Sequence, residues 1–237
     1  MKANLLMEAL EITIELASPV VMSAPWIMLD GLLLYGMGQL IFGKDWQSMA
    51  SSSNVAMWRS IPVPVEDARD GDGLPVYRAS CSRFDPPARG SVSFFQHFST
   101  ENLDGISPRA RKQRYMIVGG EFKQSAKTYP IITSKRVRFW CKGDFAFVSM
   151  IVSAMEGIGK RIDAGFGRVA SSTVSRIRGD LSITHPEFGL NRPIPLRFAP
   201  GLGLAMKPGV SVATVSFHPP YWMQEHHEPC FVPEGFA

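Results

Sequence analysis

Apolar and polar residues first alternate along Leu10–Leu16, where Leu10, Ile12, Ile14 and Leu16 are separated by Glu11, Thr13 and Glu15. A period of two predicts a strand with one buried and one solvated face. Ser18-Pro19 ends it. Asp30 stands where it can cap a short helix through Leu32, Leu33, Tyr35 and Leu40, although Gly31, Gly36 and Gly38 weaken that helix. The span from Gly43 to Gly73, with Ser51–Ser53, Pro62, Pro64 and Asp70-Gly-Asp-Gly73, predicts a loop. Strands are expected over Leu74–Arg83 and Ser91–Phe98. Lys135–Cys141 alternates again, placing Val137, Phe139 and Cys141 on one face and Arg136, Arg138 and Trp140 on the other. Asp144 then caps a helix whose Phe147, Val148, Ile151, Val152 and Met155 follow helical spacing, with Gly157 as its terminator. Strands from Val169 to about Ile183 and from Val210 to Phe217 follow, the second closed by Pro219-Pro220.

Without insertions the order is strand, helix, strand, strand, helix, strand. That predicts an α+β, ferredoxin-like (RRM-like) layout. Its core spans about 8–183 within one domain of 1–237. Residues 100–134 are expected to form an inserted hairpin or thumb, with Tyr115–Val118 as an arm, and 184–237 a C-terminal extension with a further strand.

Between the second helix and its following strand lies Gly157-Ile-Gly159-Lys-Arg-Ile-Asp-Ala-Gly165-Phe-Gly167-Arg168-Val169. Paired glycines allow positive φ and close approach to a ligand. Successive amides in such turns can form an anion site. Lys160, Arg161 and Arg168 supply cations beside it. The pattern is not a dinucleotide fingerprint, because the helix precedes the loop and the strand follows it. It is not a Walker loop either, since Arg161 stands where Ser or Thr would be needed.

Charge sharpens the choice of ligand. The chain's 237 residues carry a net +4, yet the segment from Arg109 to Lys142 holds ten Lys/Arg against one acid, Glu121, leaving −5 for the remainder. Such asymmetry beside a glycine loop favours a nucleic acid. Arg109, Arg111, Lys112, Arg114, Lys123 and Lys127 are the expected thumb cations, and Gly157, Gly159, Lys160, Arg161, Gly165, Phe166, Gly167 and Arg168 the expected loop contacts. Phe166 has two readings: a base-stacking ring or a wedge seating the loop on the sheet.

Other chemistry finds less support. Cys81, Cys141 and Cys230 form no CxxC pair, so no zinc site or disulfide framework is expected, and a reducing cytoplasm is the simplest compartment. Trp26–Phe42 is interrupted and too short for a bilayer span, so no membrane partner is expected. His97, His185, His218, His226 and His227 lack a paired catalytic group. Glu11 and Glu15 share a strand face, Asp30 and Asp144 suit caps, and Asp163 suits a turn within the glycine loop. Glu225-His-His-Glu-Pro-Cys230 lacks HExxH spacing and is expected to form a polar tail turn rather than a metal site. Trp26, Trp46, Trp58 and Tyr35 suit a core or an interface.

The glycine pattern GxGxxxxxGxG followed by Val169 resembles that of the RAMP superfamily of CRISPR proteins. Pro25-Trp-Ile-Met-Leu-Asp30-Gly-Leu-Leu-Leu-Tyr35 is similar to the LDGLL(x)Y opening of the first helix in several members. Size and the Pro219-Pro-Tyr-Trp222 ending most resemble the Cas-five-type subunit family, the third Csf subunit of type IV effector complexes. The resemblance implies a non-catalytic subunit without a cofactor or metal that caps the 5′ handle of crRNA. Its partners would be Cas-seven-type backbone subunits, a large subunit, target DNA reached through the assembled complex, and a helicase. The alternative within the superfamily is a metal-independent pre-crRNA endoribonuclease, many of which use a His as acid or base. Leu29–Phe42, where such a His often lies, contains none.

Overall fold

A computed structural model describes residues 6–50, 55–69, 73–96, 125–203 and 210–234. The expected thumb cations Arg109, Arg111, Lys112, Arg114 and Lys123, the arm Tyr115–Val118 and His97 lie outside the described residues. The fold is α+β with several antiparallel sheets and few helices.

In chain order the elements are β1 (Met7–Leu16), β2 (Val20–Val21), α1 (Leu29–Phe42), α2 (Trp46–Ala50), α3 (Val55–Ser60), β3 (Asp67–Ala68), β4 (Val76–Tyr77), β5 (Arg83–Asp85), β6 (Ala88–Gln96), β7 (Ser125–Thr133), β8 (Arg136–Asp144), α4 (Phe145–Ser153), β9 (Val169–Arg176), β10 (Thr184–His185), β11 (Gly189–Leu190), β12 (Ile194–Pro195), β13 (Val212–Ser216) and β14 (His227–Phe231). The main sheet has the order β5-β8-β1-β9, with every neighbouring pair antiparallel. A second sheet, β2-β7-β6, carries the hairpin, and a third, β12-β14-β13, is built from the C-terminal extension.

The alternation in β1 does what its period demands. Leu10, Ile12 and Ile14 are wholly buried. They pack with Leu29, Leu33, Leu34 and Met37 of α1 and Val148, Ile151 and Val152 of α4. Gly36 permits this helix pair to close, because a Cβ there would stand 2.3 Å from Ile151 Cγ2. On β8, Val137, Phe139 and Cys141 complete the same core. Trp140, on the opposite face with Arg136 and Arg138, is buried as well: it is 1% exposed, covered by the rings of His185 and Phe188 from β10 and the turn after it.

Several boundaries differ from expectation. The predicted loop 43–73 contains α2 and α3, whose Trp46 and Trp58 meet edge to face at 5.0 Å and seal one end of the core. Leu74–Arg83 is not one strand but β4 and the start of β5, joined by bridges to β8 and the segment before α1. The strand after the glycine loop stops at Arg176 instead of Ile183, and α4 ends at Ser153 with Ala154 as its C-cap, so Gly157 does not terminate it. The N-cap of α4 is as expected: Phe147 N donates to Asp144 Oδ1 at 2.9 Å.

Asp30 is not a cap. Met28 occupies the N-cap of α1, and Asp30 is fully buried against Arg192, with 3.3 Å between Arg192 Nη2 and Asp30 Oδ2. Tyr221 Oη donates to Asp30 Oδ1 at 2.5 Å. Arg192 also donates to the carbonyls of Tyr77, Ala79 (2.9 Å) and Phe217 (2.7 Å). Gly31 leaves room for the Tyr221 ring, which a Cβ would meet at 3.0 Å. Burial pushes the Asp30 carboxyl up, while Arg192, Tyr221 and the Gly31 amide oppose that shift. The LDG opening of the first helix and the PPYW ending thus meet in one buried lock.

Candidate nucleic-acid interface

The loop between α4 and β9 is closed at its neck by a short antiparallel ladder. Ile158 N donates to Gly167 O at 2.9 Å, and Val169 N to Glu156 O at 3.0 Å. Ile158 is fully buried. Gly159 has φ +83° and Gly167 φ +63°, and a Cβ on Gly167 would stand 1.9 Å from Ile158 O. Side chains are excluded there by conformation and by space. The loop then leans on β2: Lys160 N donates to Val21 O at 2.9 Å and Gly167 N to Pro19 O at 2.8 Å.

Its tip is a single 3₁₀ turn, Ile162–Ala164, bracketed by Arg161 at φ 61° and Gly165 at φ 85°. The amides of Ala164, Gly165 and Phe166 donate back to Arg161 O, Ile162 O and Arg161 O. Arg168 N donates to Ser18 Oγ at 2.9 Å. These amides, with those of Ile158, Lys160 and Gly167, are therefore spent inside the protein. The expectation of a main-chain anion cradle does not hold for them. Asp163 is not a pin within the turn; it is exposed, 3.8 Å from Arg161.

The two sides of the loop differ in chemistry. On one side an open groove of about 690 Å³ runs along β9, and Arg168 shares it with Glu156 and Asp163. Those carboxylates offset the guanidinium for a polyanion. On the other side the loop meets the hairpin. The ring of Phe166 lies 5.6 Å from that of Phe94 on β6, edge to face, and Phe94 lies 5.8 Å from Tyr129 on β7. Arg161 Cζ stands 4.6 Å from the Phe94 centroid. Lys127 is directly opposite Phe94 in the β6–β7 register, so the two share a face. Of the expected site residues, Arg161, Phe166 and Lys127 are brought together here. Lys160 is exposed where the loop meets β2, and Arg168 points to the groove side.

Phe94 and Tyr129 are the members that sequence reasoning missed. Their signal was weak but present: Val92/Phe94 and Lys127/Tyr129 alternate with Ser91, Ser93, Ala126 and Thr128 along two flanking strands. Phe166 has contact on one flank with Phe94 and is half-buried, so the wedge and the stacking readings both describe part of its environment.

Several of the other candidate residues have partners inside the protein. His218 is buried, its Nδ1 donating to Pro75 O at 2.9 Å, and burial lowers its pKa to about 4. His226 Nδ1 lies 2.9 Å from His218 O, and burial also lowers its pKa. His185 stacks on Phe188 at 4.5 Å. The expected polar tail turn is a 3₁₀ turn leading into β14, the central strand of its sheet. Its ligand-type residues face different partners, Glu225 meeting Arg59 at 2.9 Å and Glu228 meeting Arg197 at 3.0 Å. Among the described residues, no group of three His, Cys, Asp or Glu side chains could hold a metal ion. The three cysteines are buried thiols, and burial pushes Cys81 and Cys230 up to about 12. No helix among the described residues is long and apolar enough to cross a membrane.

The α+β fold thus carries a β6–β7 hairpin that meets the glycine loop through Phe94, Phe166 and Arg161. Residues 89–233, which include hairpin, loop and C-terminal sheet, match the family model of CRISPR type IV associated protein Csf3, and the chain belongs to that family. No curated relative matches the sequence.

Proposed function

We propose that this chain is the non-catalytic subunit that binds crRNA and caps its 5′ handle in a type IV CRISPR effector complex. The observation that carries the reading is the meeting of Arg161 and Phe166 from the glycine loop with Phe94, Tyr129 and Lys127 from the base of the basic hairpin. Cations hold phosphates without regard to sequence, and aromatic faces take unpaired bases. The sheet order β9-β1-β8-β5, with α1 and α4 packed against it, supports the ferredoxin-like RAMP assignment in one domain. The cations expected at Arg109, Arg111, Lys112, Arg114 and Lys123, outside the described residues, are assigned to the same ligand on their charge alone. Backbone and large subunits complete the particle, a helicase assists it, and target DNA is selected by base pairing with the guide.

Two measurements on cells expressing the type IV operon test this. Affinity purification of the chain recovers crRNA together with partner subunits, and the purified chain leaves repeat RNA intact with or without Mg²⁺. Recovery without RNA refutes the capping role. Specific cleavage of the repeat refutes the non-catalytic assignment in favour of the endoribonuclease.

A further inference from the structure

We propose that Phe94 is the platform for one unpaired nucleobase of the guide, and that the Arg161 guanidinium occupies this platform in the free protein. The inference rests on the RNA-binding reading above and assigns that site its base-contacting ring. Phe94 comes from β6 and Arg161 from the glycine loop, yet the guanidinium carbon lies 4.6 Å from the ring centroid. A planar guanidinium on an aromatic face occupies the space that a stacked base would take. Phe166 and Tyr129 both meet Phe94 edge to face, at 68° and 71°, which holds the ring in one orientation.

Arg161 is held in an unusual backbone state. Among the described residues it alone has a positive φ without being glycine. Left-handed conformations are unfavourable for residues with a Cβ, and such strain clusters where function needs it. Its carboxylate neighbour Asp163 is 3.8 Å away, and both side chains are well exposed, so this ion pair binds Arg161 weakly. The ring is its main partner. When a base takes the ring, the guanidinium is released next to the same nucleotide and donates to its phosphate. Lys127, sharing the Phe94 face, adds a second cation for the strand. Stacking is tolerant of base identity, so the platform grips one splayed nucleotide without reading it.

The test uses the full chain and an eight-nucleotide oligouridylate carrying one 2-aminopurine. Binding of the unaltered chain quenches the fluorophore. Phe94→Leu weakens binding about tenfold and abolishes the quenching, with the log–log salt slope unchanged. Phe94→Tyr restores both affinity and quenching. Arg161→Gly keeps the quenching but makes the salt slope shallower by about 0.7, the loss of one phosphate contact on a single strand. Thermal unfolding of each variant reports that the fold is retained. If Phe94→Leu binds as tightly and quenches as well as the unaltered chain, the platform is wrong. An unchanged slope in Arg161→Gly overturns the exchange. If the unaltered chain binds no RNA, the broader reading fails first and the platform with it.

Discussion

The Asp30–Arg192–Tyr221 lock and the glycine loop use polar groups in opposite ways. In the lock, the Asp30 and Arg192 side chains have no exposure and are surrounded by carbonyls and a phenol, and every group has its partner inside the protein. At the loop, the amides of Ile158, Lys160, Ala164, Gly165, Phe166 and Gly167 likewise donate within the protein, but the side chains of Lys160, Arg161 and Arg168 are left at the surface. The first arrangement fixes the C-terminal extension to helix α1. The second leaves charge available for a ligand. Changes in the lock should therefore damage folding, and changes at the loop should damage binding while the fold survives.

Arg192→Met breaks this contrast most severely. It strands the Asp30 carboxylate in the core, and loss of one partner of a buried pair costs about 3–5 kcal/mol. Urea titration should show that loss, and a stability near that of the unaltered chain would mean the lock is not a folding element. Acid gives the next largest effect. Folded His218 takes its proton near pH 4, whereas the unfolded ring takes it near 6.5. Between those values the unfolded chain binds the proton and the folded chain does not, so stability present above pH 6.5 is lost as pH falls toward 4. For His218 alone this amounts to about 3 kcal/mol. His218→Phe should flatten that part of the pH profile.

Smaller effects sharpen the loop side of the comparison. Gly165, at φ 85° with nothing within 4 Å of a Cβ, has space for a side chain but the wrong backbone for it. Gly165→Val should cost about 1–2 kcal/mol by thermal unfolding and weaken RNA capture. Normal capture by that variant would show that loop shape is irrelevant to binding. The smallest effect on stability belongs to the surface. Lys127→Ala and Lys160→Ala should change unfolding by less than about 0.5 kcal/mol, while each makes the RNA salt slope shallower by about 0.7. A flat salt response in the unaltered chain would remove the electrostatic part of the account.

Local features of this chain were legible from local pattern. The strand at Leu10–Leu16 and the Asp144 cap depend on neighbours within a few residues, and both appear as expected. The role of Asp30 was hidden because its position suited a cap, while its true partner is 162 residues away. The same holds for Gly31, whose absent side chain matters only because Tyr221 arrives there. Phe94 and Phe166 belong to different sheets' worth of chain, and nothing in either stretch announces the other. The glycine spacing was visible, but not that the amides of Ile158, Ala164, Gly165 and Phe166 close on the loop's own carbonyls. Segments with partners outside their own window, such as the short helices at Trp46–Ala50 and Val55–Ser60, were missed because tertiary packing around Trp46 and Trp58, not propensity, holds them.

The most direct test is ultraviolet crosslinking of the purified effector complex, followed by peptide mapping of this chain and identification of the attached nucleotides. The account predicts adducts on the peptides carrying Phe94, Lys127 and Arg161–Phe166, joined to nucleotides at the 5′ end of the guide. Adducts confined to other surfaces, with these peptides unmodified, would contradict it.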